Sequence, residues 1–396
     1  MDQGQALIEA SWGRPVFNFS VGPTGLTDPT RAALAGPVLY QYDPAFLQLY
    51  ASVVRQLGRA FACTEVPVIL HGEAVLGLEA AAASLISADD VVLNLVSGVF
   101  GKGFGFWARR YAREVIELEV PYNEVNQPDE VRQALRAHPE VKVVAAVHCE
   151  TPSGTINPIA EIAPLVRDAG ALLLVDAVAS FGGMQVEPSR WPADLVVVGP
   201  QKCLGGPPGL SLLYVSDRAW AHMESNPAAP RASILSILDW RGAGENSETF
   251  PFTPSVAEIN ALDACLAQFL AEGSEAVQRR HQRVARAVRA GGRALGLSLW
   301  PRNEATCSDT VTAFAVPEGV DEGRVRARAR ATMGAMLSGG QGELTGKVIR
   351  IGHMGPSAQP HTPVLALAAL GNSLRAEGFP ADIGSAVEAA LAALGE

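Results

Sequence analysis

The sequence lacks any apolar run of the roughly 18 or more residues that a membrane-crossing helix requires. Its opening residues, Met1-Asp2-Gln3-Gly4-Gln5, also lack the basic segment and apolar stretch of a secretory signal. A cytoplasmic location is the expectation. There is no surplus of basic charge either, because 41 Asp and Glu outnumber 31 Lys and Arg for a net charge of −10. Nucleic acid and anionic membrane both require Lys and Arg clustered on one face. That excludes them as main partners and leaves small molecules and other protein chains. Cysteine is scarce: Cys63, Cys149, Cys203, Cys265 and Cys307 are scattered and odd in number. They lack the short paired spacings of a zinc site or a disulfide framework, so they read as small core residues and no metal is expected. No internal repeat, low-complexity tract or heptad seam appears.

What the sequence does have is 396 residues, 48% of them hydrophobic, enough for two or three domains at about 100–200 residues each. Short apolar runs recur at Val66–Leu70, Val91–Val96, Val115–Val120, Val141–Val147, Ala171–Val175, Leu195–Val198 and Leu210–Val215. Runs of this length and β-branched content read as buried strands. Helical patterns lie between them at Gly77–Leu85, Pro128–Ala137 and Ile159–Asp168, the second opening on Pro128 with Asp129 and Glu130 in its first turn. The alternation predicts an α/β fold with a mostly parallel sheet between helices. After Phe250-Pro-Phe-Thr-Pro254 the texture changes to long helices, Val256–Leu270 and Glu275–Leu295. Strands at Thr310–Val316 and Lys347–Ile351 follow, with a helix at Asp321–Met333, a Gly-rich turn at Gly339–Gly342 and closing helices from Val364. The expected division is an N-terminal segment 1–20, a large domain 21–255 and a smaller α+β C-terminal domain 256–396.

In a doubly wound sheet, ligands sit beyond the carboxyl ends of the strands. Polar residues just after apolar runs are therefore the first candidates: Ser97-Gly98, His148 to Ser153, Asp176, and Pro200-Gln201-Lys202. Asp176 follows a nearly all-apolar strand, where an unpaired carboxylate is costly. It either caps the next turn or pairs with a cation such as a protonated pyridine nitrogen. Lys202 stands before the turn Gly205-Gly-Pro-Pro-Gly209. A loop lysine is ordinarily solvated, but one turned into a cleft loses its proton more readily and becomes a nucleophile and proton carrier. Because Asp176 and Lys202 end two successive strands, a carboxylate and an amine could face opposite ends of one bound ring.

Asp176-Ala-Val-Ala-Ser-Phe181, Gly199-Pro-Gln-Lys-Cys203 with its Gly/Pro turn, and Gly154-Thr-Ile-Asn-Pro158 resemble the class V, fold-type I aminotransferases, the group that includes alanine–glyoxylate aminotransferase, over almost the whole chain. The resemblance implies that Lys202 forms a Schiff base and that Asp176 pairs with the pyridine nitrogen. It also implies that Val178 and Phe100 pack on the two ring faces and that Arg350 binds the substrate α-carboxylate, bidentate in a way lysine cannot match. Tyr40, Gly22 and Thr151 are weaker candidates for ring-edge contacts, backbone contact to the carboxylate and the 3-hydroxyl. Thr253 lies in a segment that reaches a neighbouring subunit's site in relatives, so a homodimer or homotetramer with sites near the interface is expected. Longer runs, Leu39–Phe46, Ile69–Ile86, Glu150–Pro158 and Ile351–Pro356, are similar to a branch that takes free pyridoxamine as substrate and keeps no permanently bound phosphorylated cofactor. That branch moves the amino group to pyruvate, giving pyridoxal and L-alanine in vitamin B6 degradation.

Glu73 carries the physical test of that branch. In phosphate-using relatives the same loop holds a small hydroxyl or glycine, so that N–H groups at the next helix start can grip the cofactor phosphate. A carboxylate about 4 Å from a phosphate opposes each unit of its charge by about 4 kcal/mol at an effective dielectric near 20. It can instead accept a hydrogen bond from a 5′-hydroxyl. In its own right a Glu there also suits a helix's first turn. Gln341 departs from the branch, which has an arginine at this place, and leaves the range of keto acids open. The other enzyme expected from the family is a pyridoxal-phosphate-dependent transaminase using alanine or serine with glyoxylate. His353 reads as a satisfied structural histidine, and His71 and His148 are similar cases nearer the cleft.

Overall fold

The computed structural model describes residues 16–244 and 250–395. Residues 1–15 of the expected N-terminal segment lie outside the described residues. The apolar runs form β1 (Val68–His71), β2 (Val91–Val96), β3 (Glu114–Glu119), β4 (Val141–Val147), β5 (Leu172–Asp176), β6 (Leu195–Val198) and β7 (Leu210–Val215). They make one seven-stranded sheet in the order β1-β7-β6-β5-β4-β2-β3. β7 runs antiparallel to both its neighbours, and the other pairings are parallel. The expected α/β architecture with a mostly parallel sheet is therefore present. Apart from Asp176 at its end, β5 is buried throughout, as are β2, β6 and β7. This is the burial that helices on both faces impose, and it explains why these strands read as continuous apolar runs.

The first crossover helix, α1 (Ala74–Leu85), starts three residues ahead of the apolar pattern because Glu73 caps it. The next, α2 (Val99–Tyr111), follows β2 and buries Phe104 and Ala108 against the sheet. At Pro128–Ala137 the proline takes the first turn, and the Glu130 carboxylate accepts the Gln127 N–H at 3.3 Å.

A second hydrophobic cluster gathers Val284, Val288, Phe314, Ile349, Leu367 and Leu370. It surrounds a three-stranded antiparallel sheet of β8 (Val311–Ala315), β9 (Ser338–Gly339) and β10 (Val348–Gly352), ordered β8-β10-β9. Part of the expected Gly-rich turn is therefore strand: Ser338 and Gly339 pair with Arg350 and Ile349. Phe19 belongs to this smaller core, and Phe17–Asn18 pairs in parallel with Ala335–Met336. The helix Val256–Glu272, by contrast, buries Ile259, Leu262 and Leu266 in the larger core. Hydrophobic contact thus divides the chain within the helix Ser274–Ala294, between Val277 and Val284. The end of the strand-helix alternation near residue 255 comes earlier.

Candidate active site

β1, β2, β4, β5 and β6 share one direction, so their carboxyl ends open on one edge of the sheet. That edge collects Glu73, Ser97-Gly98, His148 to Ser153, Asp176 and Gln201-Lys202, the positions that ligands occupy in such sheets. Arg350 arrives from β10 of the smaller sheet, and its guanidinium meets the Thr151 carbonyl.

Asp176 ends β5, and one carboxylate oxygen accepts the N–H of Val178 at 2.9 Å. Burial pushes its pKa up to about 6, against the pull of that N–H and of Lys202, with Glu73 adding to the rise. A carboxyl so placed gains most from a cation set against its free oxygen, which is what a protonated ring nitrogen supplies. A narrow, mostly apolar cleft of about 60 Å³ is lined by Asp176, Phe100, Asn94, Val75 and Leu174. Asp176 and Phe100 thus face a common space.

The Lys202 ammonium nitrogen donates to the Val21 carbonyl at 2.6 Å. Gly22, at φ +111°, presses on the same side chain: a Cβ there would fall 2.4 Å from Lys202 Nζ. Only glycine lets the chain pass so close to the amine. Burial lowers the Lys202 pKa, and the Arg350 charge lowers it further, while Cys203, Glu73 and Asp176 act the other way. The net effect is that the proton leaves more readily than from an ordinary lysine, the direction a nucleophilic amine needs.

Glu73 is the N-cap of α1. Its Oε2 accepts the Val75 N–H at 2.8 Å, and its Oε1 accepts from the Gln201 amide at 2.5 Å. The helix N-terminus that could hold a phosphate is filled by the chain's own carboxylate. Ser211 ties the loop down from β7, donating to the Gly72 and Glu73 carbonyls at 2.9 Å each.

Arg350 is 2% exposed. Its Nε donates to the Gly339 carbonyl at 2.7 Å and its Nη1 to the Thr151 carbonyl at 2.9 Å. Two backbone carbonyls therefore aim the guanidinium and leave Nη2 for a ligand. Thr151 meets Arg350 through its carbonyl. Tyr40 is 69% exposed, with its ring edge-on to Tyr42 at 5.4 Å. Thr253 and Gln341 are both exposed. His353 is a satisfied core histidine, sharing hydrogen bonds with Thr312 at 2.9 Å and the Asp309 carbonyl at 3.1 Å. His71 accepts the Ser255 N–H and packs on Trp240. His148 lies behind Asp176, with its ring bonded to Ser180 and its backbone N–H donating to the Asp176 carbonyl. The cysteines are all free thiols.

Two residues of this edge lay within the strand-end runs singled out in the sequence but had no role assigned there. Gln201 is 3% exposed and links the lysine loop to Glu73. Its adjacency to Lys202 was a signal, but glutamine carries no charge that demands a partner. Glu150 is fully buried, and its carboxylate accepts the Gly101 N–H at 2.7 Å and the Phe100 N–H at 3.1 Å. Its position right after β4 marked it as cleft-facing, but its partners are visible only in three dimensions.

A mostly parallel sheet whose strand ends bring together a lysine, an aspartate and an arginine from a second sheet defines a fold-type I aminotransferase. Residues 106–349 match the class-V aminotransferase family, and the chain belongs to it. It is 54% identical over 380 residues to a pyridoxamine–pyruvate transaminase of Mesorhizobium japonicum, covering 96% of this chain and 97% of that one. A crystal structure of pyridoxamine–pyruvate aminotransferase from Mesorhizobium loti superimposes with a TM-score of 0.95 at 54% identity, over 97% of this chain and 98% of that one. An alanine–glyoxylate aminotransferase of Drosophila melanogaster is 32% identical over 89% of this chain and 91% of its own.

Proposed function

We propose that the protein transfers the amino group of free pyridoxamine to pyruvate, giving pyridoxal and L-alanine, with no permanently held phosphorylated cofactor. The observation that carries this reading is Glu73, whose carboxylate caps α1 where a phosphate would otherwise bind. The resemblance at 54% identity to proteins named for this reaction supports it. Each Glu73 oxygen keeps a lone pair for a ring hydroxymethyl group.

Asp176 holds the ring nitrogen in its protonated form, and a protonated ring draws off the electrons released when a C4′ proton leaves. Lys202, as neutral amine, takes that proton and delivers it to the α-carbon of the keto acid. The pyridoxamine amine has by then condensed with the keto carbon and lost water. After the proton shift Lys202 Nζ bonds to C4′ as a Schiff base and expels L-alanine, and water then releases pyridoxal and the free lysine. Arg350 holds the keto-acid carboxylate, Thr151 lies by the ring hydroxyl, and Phe100 and Val178 sandwich the ring. Gly22 contributes backbone to the carboxylate side and Tyr40 a ring-edge contact. The protein works in the cytoplasm as a homodimer or homotetramer. The apolar side chains left open on this chain, Val38 at 78%, Tyr40 at 69% and Phe106 at 67% exposed, are consistent with a covering subunit. Among the described residues no helix is long and apolar enough to cross a membrane.

The deciding experiment mixes ligand-free protein with pyridoxamine and pyruvate and measures pyridoxal and alanine together. Both should form in equal amounts. If neither forms while added pyridoxal phosphate restores transamination with glyoxylate, the phosphate-dependent alternative is correct; the 32% resemblance to an alanine–glyoxylate aminotransferase is what favours it.

A further inference from the structure

Glu150 has no part in the chemistry above, yet it is the most completely enclosed acid at the cleft, with 0% exposure. A buried carboxylate is costly unless something compensates it. What acts on it is burial, the N–H groups of Gly101 and Phe100, and the like charge of Asp176. No cation is among them. Its compensation is the first turn of α2, where unpaired N–H groups and the helix dipole favour negative charge.

The fold makes room for this contact. Gly98, the N-cap of α2, offers no side chain to the helix, and a Cβ on it would fall 2.5 Å from Glu150 Cδ. A Cβ on Gly101 would fall 2.8 Å from the Leu95 carbonyl and 3.3 Å from Glu150 Oε1. The two glycines shape a slot that the carboxylate fills. One N–H it receives belongs to Phe100, a residue 39% exposed that borders the same cleft as Asp176. The backbone sets the direction in which this side chain leaves the helix, so fixing the Phe100 N–H helps to fix where the ring lies. Glu150 also anchors the loop that leads to Arg350: its carbonyl accepts the Gly154 N–H at 2.8 Å, and the next carbonyl, of Thr151, accepts from Arg350.

We propose that Glu150 is a positioning residue, which caps α2 in place of a side chain at Gly98 and thereby holds the Phe100 ring at the stacking distance from the substrate ring. The inference rests on the reading that Phe100 faces the bound ring, whether or not that ring carries phosphate.

Glu150→Gln tests it. The amide keeps the size but can accept only one of the two N–H groups, and its NH2 meets the other donor head-on. Since a well-placed aromatic stack is worth about 0.5–1.5 kcal/mol, the dissociation constant for pyridoxal should rise about three- to tenfold. The keto-acid KM should move less. The deciding arm is the pair with Phe100→Ala: in that background Glu150→Gln should change ring affinity by less than about twofold, because the ring it positions is gone. A merely structural role predicts the same loss in both backgrounds, and that outcome overturns the proposal. If Glu150→Gln does not fold, Gly98→Ala leaves the carboxylate in place but crowds it, and it should give the same Phe100-dependent loss; a loss independent of Phe100 overturns the proposal equally. Pyridoxal phosphate is titrated in parallel. If it proves the preferred ring while the Phe100 dependence persists, the substrate assignment fails and the role of Glu150 stands.

Discussion

Replacing Glu73 by serine should exchange the ring preference of the site. Serine keeps an N-cap oxygen for α1, so the helix start survives, but the negative charge at its N-terminus goes. For a phosphate of charge −1.5 to −2 about 4 Å away, the repulsion removed is about 1 kcal/mol per unit charge in water and about 4 at an effective dielectric near 20. Glu73 is exposed at the rim in this chain, so the value lies toward the aqueous end, and about 2 kcal/mol is expected. That is about a 30-fold gain in affinity for pyridoxal phosphate. Free pyridoxal loses a hydrogen bond to a charged acceptor, about 1.5–3 kcal/mol, and should bind about 10- to 100-fold more weakly. Glu73→Gln separates charge from shape, since it keeps the length and loses only the charge. The assay is absorbance titration of both aldehydes against wild type and the two variants, read as the ratio of their dissociation constants. A ratio that stays within about threefold of wild type in both variants refutes the electrostatic argument. Stability is a poor readout, because Gln201 loses its acceptor in the serine variant whatever the ligand.

Lys202→Ala should abolish alanine formation while pyridoxamine still binds with nearly unchanged affinity, checked by turnover assay and equilibrium dialysis. Borohydride reduction of wild type with pyridoxal should label Lys202 and spare Lys102, Lys142 and Lys347, as read by peptide mass spectrometry. Arg350→Lys loses the guanidinium that the Gly339 and Thr151 carbonyls orient, so kcat/KM for the keto acid should fall about 10- to 100-fold with ring affinity unchanged. Equal losses for both substrates would remove Arg350 from its assigned role. Burial raises the Glu150 pKa from 4.5 to about 7, with Asp176 adding to the rise, so the folded state holds this proton more tightly than the unfolded chain. Its contribution to stability is present below about pH 4.5 and declines as pH rises through 7, by up to about 3 kcal/mol. Urea unfolding of wild type and Glu150→Gln should therefore show their stability difference shrinking from pH 5 to pH 8; a constant difference contradicts it.

The sequence by itself determined the sheet's strands and most of what stands at their ends. A strand covered by helices on both faces is mostly apolar, so Val91–Val96, Leu195–Val198 and Leu210–Val215 show in a one-dimensional pattern. The polar residues that interrupt it, Asp176 and Lys202, mark the strand ends for the same reason. The resemblance in motifs added roles for Glu73, Phe100 and Arg350. Tertiary structure alone decided the rest. Nothing local distinguishes β7, the antiparallel strand, from its parallel neighbours, because strand direction depends on how the connection returns to the sheet. The attachment of Phe17–Asn18 to Ala335–Met336 joins positions more than 300 residues apart, which no short-range period encodes. Gln201 reached Glu73, and Glu150 reached the N–H groups of Phe100 and Gly101, only once separate strand ends met at one edge. An acid's sequence position says that it needs compensation; which donors supply it is settled by packing.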